Sequence, residues 1–182
     1  MTNKTRLTVA LVLTVFLSWT VVQGQDGWSK ERKNSALTFA YHYQIHSAIE
    51  FSKTKFLLTR TKSGGGADDN YYCFAKDWLS IGAGAEVEFA HNFIFAPKIL
   101  GQFVYKPFFS SLSFSAFTDL KSIDPVLTPS IGLAFIDNYA FIGIGYGYNI
   151  HLADNSFYQI GQHRFSIFIG FKRDSYMVPA SF

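Results

Sequence analysis

From residue 35 to residue 173 the chain alternates between bulky apolar side chains and small or polar ones. The stretch YAFIGIGYGYNIHL, residues 139–152, shows the pattern most clearly. Ile142, Ile144 and Tyr146 share one register, and the other register holds the glycines between them. Successive side chains of a β-strand point to opposite faces, so this stretch predicts a strand with one bulky face and one nearly empty face.

Eight segments of strand length carry this alternation. Turn residues bound them, at 90–92 and 137–138 for example, and no helical period of 3.6 residues follows the first 24 residues. Most of them have about the 9–11 residues that a tilted membrane-spanning strand needs. The pattern predicts an all-β, eight-stranded antiparallel transmembrane β-barrel, with strands near 35–46, 47–59, 78–89, 93–105, 109–118, 126–136, 139–152 and 163–173.

The second face of each segment indicates which side of the barrel meets water. A soluble barrel also alternates, but its outer face is filled with charged side chains. Here the second face holds mainly Gly, Ser, Ala and Thr, which suit the narrow interior of an eight-stranded barrel. We therefore expect the bulky register to face lipid. The alternatives are a Gly-rich soluble sandwich and a secreted lipocalin-like barrel, in which Ile142 and Tyr146 line a cavity for an apolar ligand.

A few charged residues share the small-residue register and are expected to point into the lumen. An ionisable group that faced hydrocarbon near the midplane would cost up to about 2–4 kcal/mol. We predict that these residues form an ion-pair network that fills the lumen, and the competing interpretation is a narrow pore lined with mixed charge. They are Glu86, Glu88, Lys98, Arg164 and Lys172.

Aromatic residues near the predicted strand ends suggest interfacial girdles. Tyr and Trp concentrate where a membrane protein crosses from hydrocarbon to water, and transmembrane barrels carry aromatic rings at both levels. The residues assigned to the girdles, all expected to face lipid, are Tyr105, Phe108, Phe109, Tyr139, Phe141, Tyr146, Tyr148 and Phe171.

The beginning of the chain resembles a secretory signal peptide. Lys4 and Arg6 precede an uncharged run at residues 7–22, and Val22-Gln23-Gly24 suits a cleavage site. The run has sixteen residues, fewer than the ~20 of a spanning helix, although an uncleaved anchor is the alternative. We predict a signal peptide at 1–24, an N-terminal periplasmic segment at 25–34, the barrel at 35–173 and a tail at 174–182.

Charge and cysteine content exclude other classes of protein. Without Lys4 and Arg6 the basic residues fall from 16 to 14 against 13 acidic ones, so no concentrated basic surface for nucleic acid is expected. The single Cys73 excludes an internal disulfide.

These features resemble small outer-membrane β-barrel proteins of Gram-negative bacteria, many of them uncharacterised. The resemblance rests on the sequence segments APKILGQFVY (96–105), LTPSIGLAF (127–135) and YGYNIHL (146–152). The resemblance covers about 35–173 and implies a monomer in the outer membrane, with outer-membrane lipid or lipopolysaccharide as its partner. One segment departs from the pattern, because TKSGGGADDNYYCFAKD (61–77) is a long link on the periplasmic side, where short links are expected.

Candidate chemistry is sparse. His46, Ser47, His91 and His151 lie near predicted strand ends, but the chain has no Gly-x-Ser-x-Gly or His-x-Ser-Asn motif. His42 and His46 lie about 13 Å apart along a strand, too far for one zinc ion. The triplet Asp68-Asp69-Asn70 lacks the rest of an EF-hand. We expect no catalytic, metal or cofactor site, and a structural or interaction role with the loops as contact surface; the third possibility is a lipid-modifying membrane enzyme.

Overall fold

The protein is described by a computed structural model covering residues 28–29, 35–64, 71–90, 93–137, 139–153, 160–173 and 176–178. Eight long strands dominate it. They are β1 (Ser35–Tyr43), β2 (Ser47–Gly64), β3 (Tyr71–Phe89), β4 (Phe93–Tyr105), β5 (Phe108–Thr118), β6 (Ile123–Ile136), β7 (Ala140–Tyr148) and β8 (His163–Arg173). The expected signal peptide, Asp68-Asp69-Asn70 and His91 lie outside the described residues. Among the described residues, no helix has the length and apolar character needed to cross a membrane.

The eight strands close into an antiparallel barrel. Each pairs with its neighbours along the chain, and β8 pairs with β1 from Phe165↔Tyr43 to Arg173↔Ser35. Closure satisfies the backbone groups that an open sheet edge leaves unpaired, a condition that hydrocarbon imposes on any spanning sheet. The prediction of an all-β, eight-stranded antiparallel barrel is confirmed.

The two ends of the barrel differ. We call the end where β1 begins and β8 finishes the proximal end, and the opposite end the distal end. Lys106-Pro107 turns the chain at the proximal end, and residues 119–122 turn it at the distal end. A short strand at Ile150–His151 prolongs β7 at the distal end by pairing with Val126 and Leu127 of β6.

The segment 61–77, expected to be a long link, is largely strand. β2 runs to Gly64 and β3 starts at Tyr71, and their pairing continues to Gly64↔Tyr72 across two register shifts. The hairpin therefore extends past the proximal end. Two short strands flank it: Trp28–Ser29 pairs with β2 at Thr59 and Arg60, and Tyr176–Val178 pairs with β3 from Tyr71 to Cys73.

Burial follows the alternation seen in the sequence, with polarity reversed relative to a soluble protein. Phe39, Ile99 and Ile144 are 45, 61 and 58% exposed on the outer face. The inner face buries polar and charged groups, among them Glu86 and Arg164. Ile142 and Tyr146 also lie on the outer face, so they line no internal cavity, contrary to the lipocalin-like alternative.

Candidate functional site

A cluster of charged side chains lies inside the barrel. Glu50 of β2 and Glu86 of β3 face Lys98 of β4 and Arg164 of β8, and we call these four the charge cluster. The alternation of each strand turns its member inward, because the residues on either side of it point to the outer face. Four different strands therefore bring the cluster together.

Glu86 is bonded to both cations of the cluster. Arg164 donates from Nη1 to Oε1 and from Nη2 to Oε2, both at 2.8 Å, which is a bidentate pair. Lys98 Nζ donates to Oε2 at 3.0 Å. Two cations thus converge on one buried carboxylate.

Glu50 completes the charge balance. Its Oε2 accepts from Lys98 Nζ at 2.6 Å and from Arg164 Nη2 at 3.3 Å. His42 Nε2 also lies 2.9 Å from this oxygen. Two carboxylates and two cations leave the cluster close to neutral, which limits the cost of burying it.

The structure places the five predicted lumen residues in different settings. All five are buried, and Glu86, Lys98 and Arg164 meet in the charge cluster. Glu88 lies beside Gln44, outside the charge cluster, and no cation among the described residues is bonded to it. Lys172 lies at the proximal end, with Nζ 5.7 Å from the centroid of the Trp78 ring.

Glu50 belongs to the charge cluster and His42 contacts it, but neither residue was predicted there. Ile49 and Phe51 are exposed apolar residues of β2, and the residue between two outward side chains must point inward. Whether a residue points inward or outward depends on its odd or even position along the strand, which we call its parity. The parity of this segment is hard to assign from sequence because its end is irregular: Phe56 points inward, and a register shift follows between Phe56 and Leu58. His42 was assigned to the inward register, but nothing in the sequence pairs it with Glu50.

Aromatic rings close the lumen on the proximal side. Phe56 stacks on Trp78 at 5.1 Å between ring centroids, and Phe109 lies 4.7 Å from Phe168. Phe141 contacts both pairs, with centroids 5.2 Å from Trp78 and 6.2 Å from Phe168. We call the whole buried set the proximal plug: Ala36, Ala40, Phe56, Trp78, Val104, Phe109, Ala134, Phe141 and Phe168.

The assignment of Phe109 and Phe141 to a lipid-facing girdle is therefore wrong. Both are buried, because each has the inward parity of its strand: Phe109 with Ser111 and Ser113, and Phe141 with Gly143. The other girdle residues lie on the outer face, where Tyr148 is half-buried and the rest are exposed: Tyr105, Phe108, Tyr139, Tyr146, Tyr148 and Phe171.

A second apolar group closes the distal side. This distal plug contains Ile94, Ala96, Phe117, Val126 and Ile160. Asn149 holds Gly161, the residue after Ile160, through a 2.7 Å bond from Nδ2 to the Gly161 carbonyl oxygen. The same nitrogen donates to Gln44 Oε1, also at 2.7 Å. Along β4 the inward residues pass from Ile94 through Lys98 to Val104, so the charge cluster lies between the two plugs.

The space left between the plugs is small and polar. A cavity of about 50 Å³ adjoins the charge cluster. Its walls include hydroxyl groups from four strands: Thr38, Ser111, Ser113, Thr128, Ser130 and Ser166. A buried water molecule needs roughly 10–15 Å³ of accessible space, so the cavity has room for a few water molecules and is too small for an organic substrate.

Ser166, His42 and Glu50 form a hydrogen-bonded chain beside this cavity. Ser166 Oγ lies 2.8 Å from His42 Nδ1, and His42 Nε2 lies 2.9 Å from Glu50 Oε2. Serine hydrolases use the same residue types, although their Ser must also reach a substrate carbonyl. His42, Glu50 and Glu86 also lie close enough for one metal ion, but Lys98 and Arg164 already occupy both carboxylates. The geometry therefore favours a structural ion-pair network over a metal site.

Comparison with known proteins adds little beyond the fold. No protein-family model and no curated protein sequence matches the chain. A solved structure described as "De novo design of transmembrane beta-barrels" aligns with 80% of this chain and with all of its own length, at 10% identity and a TM-score of 0.48. With a closed barrel, an apolar outer face and a charged interior, the chain has the architecture of a membrane β-barrel.

Proposed function

We propose that this chain is an outer-membrane β-barrel protein with a structural or interaction role, whose filled lumen supports the barrel and whose loops form the contact surface. The observation that carries the proposal is the reversed polarity of the barrel wall. Large apolar side chains lie on the outer face of all eight strands, and the buried face carries Glu50, Glu86, Glu88, Lys98, Arg164 and Lys172. Soluble monomers rarely expose a continuous apolar patch beyond a few hundred Å².

Two lysines suggest where the membrane ends on the proximal side. Lys53 and Lys55 project from the outer face of β2, and they pair across the sheet with Leu37 and Ser35, near the start of β1. Their long aliphatic stems allow the ammonium groups to reach the level of the lipid headgroups. The extended hairpin of β2 and β3 would then project beyond the membrane, into the periplasm if the proximal end faces inward.

Charge scanning on the outer face tests the proposal. Ile142→Lys places an ammonium near the middle of the apolar belt, where it costs about 2–4 kcal/mol in a bilayer. Ile123→Lys is the matched control, because Ile123 begins β6 next to the distal turn and the same change there costs about 0–1 kcal/mol. Folding into lipid vesicles, measured by heat-modifiable gel mobility and urea titration, should show this difference. A soluble protein would instead tolerate or benefit from Ile142→Lys.

Cell fractionation tests the location. The processed chain should sediment with the outer membrane and resist extraction by urea. Recovery of the chain from the soluble fraction without detergent would contradict the proposal.

The Ser166–His42–Glu50 chain favours a second candidate, a hydrolase of membrane lipids. The small cavity beside Ser166 ranks it below the structural role, because an acyl ester would not fit there. A fluorophosphonate probe should leave the folded protein unlabelled. Labelling that Ser166→Ala abolishes, together with lipid A whose mass changes when the protein is present, would establish the hydrolase instead.

A further inference from the structure

The outer wall carries a groove between two rows of side chains that cross four strands. The first row is Tyr41, Ile167, Ile144 and Leu133, and the second is Tyr43, Phe165, Tyr146 and Ile131, in each case directly paired neighbours. Between the rows run Ser166, Gly145 and Gly132, which belong to the inward register. The floor of the groove is therefore backbone.

The groove is large enough for part of a lipid. Its volume is about 430 Å³, within the ~300–1,000 Å³ typical of small-molecule sites. Its lining is almost entirely apolar: the side chains that form its walls are Ile, Leu, Phe and Tyr. In a bilayer the hydrophobic effect does not favour contact of an acyl chain with this groove over contact with other lipids. Selective retention of a lipid must therefore come from close packing of its acyl chain and from polar contacts with its headgroup.

A polar group of residues stands on the distal side of the groove, next to its second row. Tyr146 Oη lies 2.6 Å from His163 Nδ1, which leaves Nε2 of that ring to engage a group outside the protein. The Tyr148 ring packs edge-on against His163 at 5.5 Å, and Tyr148 Oη donates to Gln162 Oε1 at 3.2 Å. His163 is exposed. Tyr146 belongs both to the second row and to this polar group, so an imidazole and an amide adjoin the distal wall of the groove.

The charges near this group are suited to an anion. Within the described residues, the distal ends of β1, β7 and β8 carry His46, His151 and His163, besides the inward Arg164, and no carboxylate. His151 is engaged by Asp124 at 2.7 Å. The fourth strand of the groove, β6, carries Asp124 at its distal end, but this carboxylate is buried, so an acidic headgroup above the groove would meet imidazole.

We propose that the groove seats one acyl chain of a phosphorylated lipid of the outer leaflet, with the phosphate against His163. This inference rests on the proposed function, since the distal end faces the outer leaflet only in an outer-membrane barrel. Tyr146 orients the imidazole through Nδ1, so it acts as a positioning residue. The amphipathic character of the groove selects a lipid over a soluble phosphate.

Native mass spectrometry of the folded barrel tests the inference. The protein is released from micelles that contain equal amounts of lipid A and dephosphorylated lipid A, which differ only in the phosphate groups. We expect one retained lipid A, at about tenfold preference, the size of one charge-assisted hydrogen bond. His163→Ala should abolish most of that preference, and Ile144→Trp should reduce retention of both lipids by filling the groove.

Ile99→Trp is the matched control for the groove-filling variant. Ile99 is 61% exposed on β4, away from the groove, and Ile144 is 58% exposed within it. The control should retain lipid A like the wild type, and heat-modifiable mobility establishes that each variant is folded. If Ile144→Trp does not fold, His163→Ala alone decides the matter.

Equal retention of the two lipids by a folded wild-type barrel, or loss of retention in Ile99→Trp to the same degree as in Ile144→Trp, would overturn the inference. Either result leaves the outer-membrane proposal intact, because folding into bilayers is measured separately. A chain that remains soluble and never folds into lipid would overturn both.

Discussion

Glu86 and Glu88 allow one substitution to be compared in two environments. Both residues face the lumen from β3, two positions apart, and both are 1% exposed. Glu86 accepts hydrogen bonds from Arg164 and Lys98, while no cation among the described residues is bonded to Glu88. Glu86→Gln therefore removes a buried charge that is bonded to two cations, and Glu88→Gln removes a buried charge that is bonded to none.

The structure sets the size of the expected difference. Glu86→Gln leaves Arg164 and Lys98 with Glu50 as the remaining carboxylate of the charge cluster, so the cluster acquires a net positive charge. Removing one partner from a buried ion pair costs about 3–5 kcal/mol. Glu88→Gln removes a carboxylate that has no bonded cation, so the free energy of unfolding should change by less than about 1 kcal/mol or increase.

Urea unfolding of the barrel in lipid vesicles measures both values, with heat-modifiable gel mobility as a second readout. The control is the double variant Glu86→Gln with Lys98→Gln, which restores neutrality and should recover part of the lost stability. Equal losses in Glu86→Gln and Glu88→Gln, or a larger loss in Glu88→Gln, would refute the idea that paired charges support the lumen.

Three further predictions follow from other parts of the barrel. Gly143→Ala should destabilise the barrel by about 1–3 kcal/mol, because a Cβ there overlaps the Phe168 ring; Gly145→Ala, whose nearest contact is at 3.4 Å, should be tolerated in the same unfolding assay. Wild-type protein should leave a planar bilayer without discrete conductance steps, since both plugs close the lumen, and regular single-channel steps would contradict this. In the distal turn, hydrogen bonds from the backbone N–H groups of Ser122 and Lys121 lower the pKa of Asp119 below its ordinary value of 3.8. The stabilisation of the turn by the Asp119 carboxylate is complete above pH 3.8 and disappears as the pH falls through the lowered pKa. Amide exchange in the turn should therefore accelerate only in strong acid.

Strand parity explains what the sequence predicts correctly. Because side chains alternate with period two, one secure apolar position assigns every other position of a regular strand. This reasoning assigns Glu86, Lys98 and Arg164 to the inner face, and all three are buried in the structure. The errors at Phe109 and Phe141 arose where residue type was given more weight than parity, since aromatic residues near strand ends were assumed to face lipid.

Parity fails where the strand itself is irregular. The register shift after Phe56 and the extension of β2 to Gly64 depend on pairing with β3, which no local pattern reveals. The contacts within the charge cluster are equally inaccessible to sequence alone. Glu50 and Arg164 are 114 residues apart, and closure of β8 onto β1 brings them together.

The narrow lumen explains why glycines occupy inward positions next to the aromatic rings of the proximal plug. An eight-stranded barrel has room for side chains but little more, so a large ring on one strand requires a small residue on a neighbour. Gly143 pairs across the sheet with Phe168, and Gly170 pairs with Phe141. A Cβ at either glycine would overlap the ring of its partner. The glycines and the aromatic rings of the proximal plug are thus complementary halves of one packing arrangement, which fills the lumen next to the charge cluster and keeps water from its proximal side.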